Sequence, residues 1–493
     1  MNRTPLFRAA LAAALSLSAD AYGQGPRPAG PALPATASGA LAGRLVDAVN
    51  SPDTAAITRA VDAARPSAWQ RDEVLATLRG LRDQGGGVTL GETRTTPAGS
   101  AIVQLWARRA DAGVELLVGA DTAAPGRLAR FSLRASLRPG GTIRPLPRTR
   151  MEEGELVRAL DDELRRLAAA DRFSGVVLIG RGDRIVYQGA FGTENLATRT
   201  PITPASRFHI ASMGKMFTSV AIAQLIQQGR LSLDDTLGAL LPEEPWTPQA
   251  RGITVRQLLS HRAGLGGLFD RAGFRENYVY ATSAELLPIF ASLPLASAPG
   301  ERYAYSNEGF ETLGAVVERL TGMRRNEYVA RNVFAPSQMR EIRVDALADT
   351  LDRRVFPQTH AEGDVLGLRP RVMVPRGISG GGAGGGHATA EDMFRFGRAL
   401  LGGRLVNRGL VDQFTGAADA PEQGQRYVFG FEVRRVNGRT VFGHSGGGPR
   451  GVAICDQSDY FADGSWTVIV LSNYDAPFCA DLKDEIVDVL TYQ

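Results

Sequence analysis

Hydrophobic and polar positions change period several times along this chain, and each change marks an element. Apolar residues recur at helical spacing from Leu41 to Ala63, and again from Asp72 to Leu81. The period then falls toward two over Gly87–Thr96, Ala101–Arg108, Gly113–Gly119 and Arg127–Leu137. Within the third run Val114, Leu116 and Val118 alternate with neighbours, as a half-buried antiparallel strand requires. Two helices and then a four-strand meander predict a small α+β domain over 41–147.

Glycine and proline from Pro139 to Pro147 break the pattern, and a new one follows. Glu155–Ala168 reads as an amphipathic helix. Ser174–Gly180 and Arg184–Phe191 read as strands joined by the turn Arg181-Gly182-Asp183, a hairpin signal. The chain closes on strands at Val441–Phe442, Gly451–Cys455 and Trp466–Ser472, then a helix at Ala480–Leu490. Strands at both ends, with helices between, predict one antiparallel sheet completed by remote segments and a continuous α+β domain over 150–493.

The N-terminus has its own pattern. Arg3 and Arg8 precede an apolar run from Ala9 to Leu17, and Ala19-Asp20-Ala21 offers a small-residue cleavage site. Residues 1–21 therefore read as a signal peptide, and 22–40, rich in Gly, Pro and Ala, as a flexible leader. The apolar run is too short to span a bilayer. The expected location is periplasmic or secreted. A chain of 493 residues with 44% hydrophobic and 22% charged residues can bury two cores. Its net charge of +4 is small, and without a clustered basic run nucleic acid is not an expected partner. Cys455 and Cys479 allow one internal pairing or two buried thiols, and no Cys/His spacing suggests a metal or cofactor.

One compositional bias changes the picture. Of 56 basic residues only Lys215 and Lys483 are lysine. Lys215 stands three residues after Ser212, at the head of the apolar helical run Met216–Ile226, so the two share a helix face. A buried lysine can lose its proton and serve as base to a serine; arginine cannot. The serine N–H at such a helix start faces outward, ready for an oxyanion. Tyr305-Ser306-Asn307 follows Pro299-Gly300 and reads as an extended loop that turns Tyr305 and Asn307 the same way, one to relay a proton and one to donate an amide. His444-Ser445-Gly446-Gly447 follows a strand; its glycines admit a substrate backbone, and the Gly447 N–H can complete an oxyanion hole. Taken singly, these are also an N-capping serine beside a solvated lysine, an ordinary turn and a glycine-rich hairpin.

In this order the three motifs resemble the serine β-lactamase and D,D-peptidase superfamily, specifically its class C-like branch. Phe208–Ser212 into Lys215–Thr218, Gln228–Asp235, Ile253–His261 and Gly381–Asp392 are similar to the family's segments as well. The resemblance implies a sheet flanked by helices with a helical subdomain. It implies that Ser212 is acylated, Lys215 takes its proton, and Tyr305 serves the leaving group and later the water. Asn307 would hold the substrate amide, with His444, Ser445, Gly446 and Gly447 along the substrate. His261 and His387 are expected to be structural. The leading domain resembles cystatin-like or NTF2-like folds, and its partner is not legible. Where β-lactamases usually carry lysine this chain has His444, mostly neutral at neutral pH, which favours small esters or D-amino-acid amides and peptides over β-lactams. Arg450 is a further candidate for a substrate carboxylate, and Phe269–Thr282 for specificity. A non-catalytic penicillin-binding-like sensor is the reading from another class. Gly377-Ile378-Ser379-Gly380-Gly381 matches a G-x-S-x-G nucleophile elbow, but glycines follow where that motif needs a helix. Gly443–Gly447 matches too, but no histidine follows it.

Overall fold

The computed structural model describes residues 32–493, apart from 67, 97–98, 111, 138–142, 267–279, 345–351, 361–370, 374–380, 423, 449–451 and 476–477. The chain divides into two compact units, residues up to 109 with 115–133, and 110–114 with 134–493. In the first, helices α1 (Ala37–Asn50), α2 (Ala56–Ala63) and α3 (Ala68–Gly85) precede a sheet of strands β1 (Val88–Thr95), β2 (Ala101–Ala107), β3 (Gly113–Ala120) and β4 (Leu128–Leu137), ordered β1-β2-β3-β4. Leu41, Leu45, Val49, Leu78, Val103 and Leu116 are buried there. Two expectations are corrected. Helix α1 begins inside the stretch read as a flexible leader, because the Thr36 hydroxyl accepts from Gly39 N–H at 3.1 Å and caps it. The single helix read over 41–63 is two, since Ser51-Pro52 cannot carry α1 onward.

The second unit is built on a seven-stranded antiparallel sheet. Helix α4 (Glu153–Ala169) leads into strands β5 (Gly175–Arg181) and β6 (Arg184–Phe191), whose turn has Gly182 at φ 56°. Later come helices α5 (Lys215–Gln227), α6 (Asn307–Thr321) and α7 (Ala390–Leu401). The chain ends with β7 (Gln425–Val428), β8 (Phe431–Val436), β9 (Arg439–Gly447), β10 (Cys455–Phe461), β11 (Trp466–Ser472) and α8 (Phe478–Leu490). The sheet order is β7-β8-β9-β10-β11-β5-β6. Strand β11 thus zips onto the opening hairpin, from Trp466 opposite Arg181 to Ser472 opposite Gly175.

Burial explains the two layers around this sheet. Leu156, Leu160, Leu164 and Leu167 form one stripe of α4 and join Ile486, Val487 and Leu490 of α8 in the core on one face. The other core gathers α5, α6 and α7. Helix α5 is mostly apolar and buried on every side from Lys215 to Leu225, so it is a core element rather than a surface one. Phe217 stands between the rings of Phe334 and Phe396, each 5.0 Å away.

The strand expected at Gly451–Cys455 instead starts at Cys455 and runs on through Asp456-Gln457-Ser458-Asp459. Three of these buried polar residues have partners: Asp456 accepts from Ser472 N–H at 3.0 Å, the Ser458 hydroxyl donates to the His444 carbonyl at 3.2 Å, and Asp459 is held by cations. Asp459 takes a two-pronged bond from Arg434 at 3.1 and 2.6 Å and faces Lys483 at 3.4 Å. Cys455 and Cys479 form a disulfide that ties β10 to α8.

Replacing Phe217 by Ala deletes a wholly buried ring, and urea unfolding should register a loss of about 3–5 kcal/mol. A loss under about 1 kcal/mol would mean that α5 does not sit in the packed core.

Candidate active site

The turn that carries Ser212 is shaped by what presses on it. Ala211–Gly214 is a single 3₁₀ turn that runs into α5, and not the first turn of the α-helix itself. Ala211 has φ 44°, a strained backbone for a residue with a Cβ, immediately before Ser212. The surroundings hold it there: Gly385 N–H donates to the Ala211 carbonyl at 2.8 Å, and Ile210 N–H donates to Gly386 at 3.0 Å. A Cβ on Gly384 would strike the Ala211 carbonyl from one side, and a Cβ on Gly446 would strike the Ile210 carbonyl from the other. Two glycine-bearing segments therefore clamp the turn that carries Ser212.

Lys215 is wholly enclosed. Its Nζ lies 3.1 Å from Ser212 Oγ, 2.7 Å from Asn307 Oδ1 and 2.6 Å from the Ala383 carbonyl. The last two oxygens can only accept, so they take two N–H groups. A neutral amine then has one lone pair left, directed at the Ser212 hydroxyl. Burial drives the pKa of Lys215 down from 10.5 to about 7, against the opposing pull of Glu311 and Glu308. The geometry and the titration agree on a lysine able to be a base.

Tyr305 and Asn307 do arrive together, by a different local structure from the one expected. Ser306 is the N-cap of α6, its hydroxyl accepting from Gly309 N–H at 3.1 Å, and Asn307 is the first helical residue. The Tyr305 ring lies 4.8 Å from Lys215 Nζ. Although Tyr305 is 44% exposed, the desolvation of its phenol within the site raises the pKa, partly offset by a hydrogen bond with Ser212, so Tyr305 is a neutral phenol at neutral pH. His261 forms the wall behind it. Its ring stacks 4.2 Å from Tyr305 and 4.4 Å from Tyr427, and Nδ1 accepts from Ser306 N–H at 3.1 Å. Burial, with Lys215 and His444 nearby, lowers its pKa to about 2, so it stays neutral. His387 pairs with His209 across a two-residue ladder, their rings 5.2 Å apart.

His444, Ser445, Gly446 and Gly447 form the last four residues of β9. His444 is buried, with Nδ1 2.5 Å from the Ser445 carbonyl and Nε2 3.1 Å from the Tyr427 hydroxyl. Burial is the main cause of its lowered pKa. The Ser445 hydroxyl donates to Glu432 at 2.8 Å. Gly446 abuts the Ser212 turn as described, and Gly447 lies opposite Cys455. Arg450, Ser379 and residues 269–279 lie outside the described residues.

Sequence reasoning missed three residues. Glu311, one helical turn after Asn307 on α6, accepts from Gly382 N–H at 2.9 Å, Ala383 N–H at 3.0 Å and Ser283 Oγ at 3.1 Å. It thereby orients the Ala383 peptide whose carbonyl meets Lys215. Its i,i+4 spacing from Asn307 was the available signal. Tyr427 and Glu432 carry no motif at all. Among the described residues no cluster of His, Cys, Asp and Glu could hold a metal.

Comparison with known proteins bears on this arrangement. A sequence model of the Beta-lactamase family matches residues 156–491. Penicillin-binding protein 4* of Bacillus subtilis is 28% identical over 330 residues, covering 62% of this chain and 69% of that protein. The D-aminopeptidase of Brucella anthropi is 27% identical over 307 residues, covering 61% of this chain and 56% of that protein. This chain therefore spans little more than half of that aminopeptidase. The crystal structure of a penicillin binding protein from Bacillus halodurans superposes with a TM-score of 0.55 at 25% identity, covering 70% of this chain and 99% of that one.

The chain has two lysines, so protein labelled with ¹³C-lysine should give two side-chain signals. One of them, Lys215, is expected to titrate with a midpoint near pH 7. If both stay charged above pH 9, Lys215 is not poised as a base.

Proposed function

The chain belongs to the Beta-lactamase family, and from that premise we propose that it is a serine hydrolase working through an acyl-enzyme at Ser212. The observation that carries this reading is the enclosed Lys215 amine, whose Nζ lies 3.1 Å from Ser212 Oγ while the Asn307 and Ala383 oxygens accept from it. Ser212 Oγ attacks the carbonyl carbon of an ester or amide, and its proton passes to Lys215 Nζ. The oxyanion is met by the backbone N–H groups of Ser212 and Gly447. Collapse breaks the bond to the leaving group, which takes a proton through Tyr305. Water then adds to the acyl-serine by the reverse route. Asn307 holds Lys215 with its oxygen and keeps its NH₂ for a substrate carbonyl.

Small esters or D-amino-acid amides and peptides are the proposed substrates, ahead of β-lactams, because a neutral His444 stands where a fixed cation would otherwise meet a carboxylate. The Tyr-x-Asn pair at 305 and 307 supports placing the chain in the class C-like branch. Export to the periplasm or medium is proposed from the N-terminal pattern of 1–21, with the Cys455–Cys479 disulfide in keeping with an oxidising compartment. An accessory role is proposed for the domain over 41–147.

The deciding experiment is release of nitrophenol from p-nitrophenyl acetate. A burst followed by turnover, both lost in Ser212→Ala, is the expected result; equal activity in the two proteins would sink the assignment. A burst without turnover would make the protein an acylated sensor instead. Because the amine works only when deprotonated, kcat/KM should rise with pH through about 7 and level off above it. Lys215→Arg keeps a charge that never leaves, and should cost about 10²–10⁴-fold in kcat/KM.

A further inference from the structure

Strand β9 runs on past its neighbour. Its pairing with β8 ends at Gly443, opposite Glu432, and His444–Gly447 continue beyond that end. A substrate acylating Ser212 must lie along this segment. Two of its side chains could meet a charged substrate group, and both are already engaged. His444 Nδ1 sits 2.5 Å from the Ser445 carbonyl, which only accepts, so Nδ1 carries the ring proton. In the neutral ring Nε2 is then an acceptor, and it takes the hydroxyl proton of Tyr427 at 3.1 Å. The Ser445 hydroxyl proton goes to Glu432.

Glu432 is placed to matter. It stands directly opposite Tyr427 in the β7–β8 ladder, on the same face. Burial is the main cause of the raised pKa of Tyr303, Tyr305 and Tyr427 and of the lowered pKa of His444, and the Glu432 charge pulls all four upward. Lys215, whose charge His444 also feels, turns its N–H groups to Asn307 and Ala383. What the motif presents here is a carboxylate, with its own donors used up.

We infer that Glu432 is a specificity-determining residue: with Ser445 and the Tyr427–His444 pair it makes this edge favour ester and amide substrates carrying an ammonium group, or no charge, over those carrying a carboxylate. The inference rests on Ser212 being the nucleophile. It deepens that reading by assigning the sign of charge the site selects.

Three probes that differ in the charge of one substituent test it: 3-aminomethyl-, 3-carbamoyl- and 3-carboxyphenylboronic acid. In each, Ser212 Oγ adds to the trigonal boron and passes its proton to Lys215, with no leaving group. Inhibition constants are read against p-nitrophenyl acetate. The wild-type protein should bind the aminomethyl probe at least tenfold more tightly than the carboxy probe, with the carbamoyl probe between. Glu432→Gln should shrink that ratio to under threefold, while Glu432→Asp keeps the order. Equal affinities, a carboxy probe that binds tightest (which would hand recognition to Arg450), or a ratio untouched by Glu432→Gln would each overturn the inference alone. Failure of all three to bind, with Ser212→Ala as active as wild type, would overturn the nucleophile assignment and take this inference with it. A second readout needs no turnover. The chain has five histidines, so ¹⁵N spectra compared with His444→Gln identify the His444 signal. It should show an Nδ1–H ring with Nε2 accepting, and an Nε2 shift in Tyr427→Phe; an Nε2–H ring would overturn the arrangement.

Discussion

An ammonium ion taken out of water without a counter-charge is among the costliest things a fold can contain, and Lys215 is fully enclosed. Burial here lowers the pKa of Lys215 to about 7, against the opposing pull of Glu311 and Glu308, so that the proton can leave near neutral pH. Neutral oxygens from three separate segments then surround the amine: Ser212 in the preceding turn, Asn307 at the head of α6 and the Ala383 carbonyl in a glycine-rich turn. Around that cluster the unit is arranged as a support. Glu311 fixes the Ala383 peptide, and Thr218 donates to the Gly382 carbonyl at 2.6 Å. Arg325 donates to the Gly214 carbonyl at 3.1 Å and to Thr218 at 2.9 Å. Moving any of them changes what the lysine touches, and so which form of it is stable.

Closeness of backbone to backbone is the second constraint. The clamp on the Ser212 turn works only because Gly384 and Gly446 lack a Cβ, and it holds Ala211 in a conformation it would not choose. Strain stored beside Ser212 has a geometric use, since it fixes the turn that carries the Ser212 hydroxyl and backbone N–H.

Much of this was legible in the sequence, and the limits follow from the physics. Hairpin β5–β6, strand β11 and helix α4 announced themselves because a half-buried strand or helix writes its period directly. Ser212 and Lys215 stood out because a rare residue type appeared at a chemically meaningful spacing. Strand β10 did not, because Asp456, Ser458 and Asp459 are buried on the strength of partners that sequence does not reveal: Arg434 and Lys483 for Asp459, the His444 carbonyl for Ser458. The loop expected at Tyr305–Asn307 became a helix start because the Ser306 hydroxyl caps it, which spacing alone cannot distinguish from a turn. Tyr427, Glu432 and Glu311 act through contacts between remote segments and leave almost no local pattern.

The two basic residue types divide the interior between them. Where this protein needs a permanent cation in its interior it uses arginine. Arg207 is buried and donates to Glu341 and Asp352, Arg325 binds carbonyl and hydroxyl oxygens, and Arg434 grips Asp459. Guanidinium suits those places because its charge stays and its planar fork fills several acceptors at once. Lysine is kept for two buried positions. Lys483 shares the carboxylates Asp459 and Asp484, whereas Lys215 faces only neutral oxygens. The same side chain thus meets opposite surroundings. Burial among amide and hydroxyl oxygens lowers the pKa of Lys215 and so favours its neutral form. An arginine at 215 would fill the same acceptors and remove the lone pair on which the proposed chemistry depends.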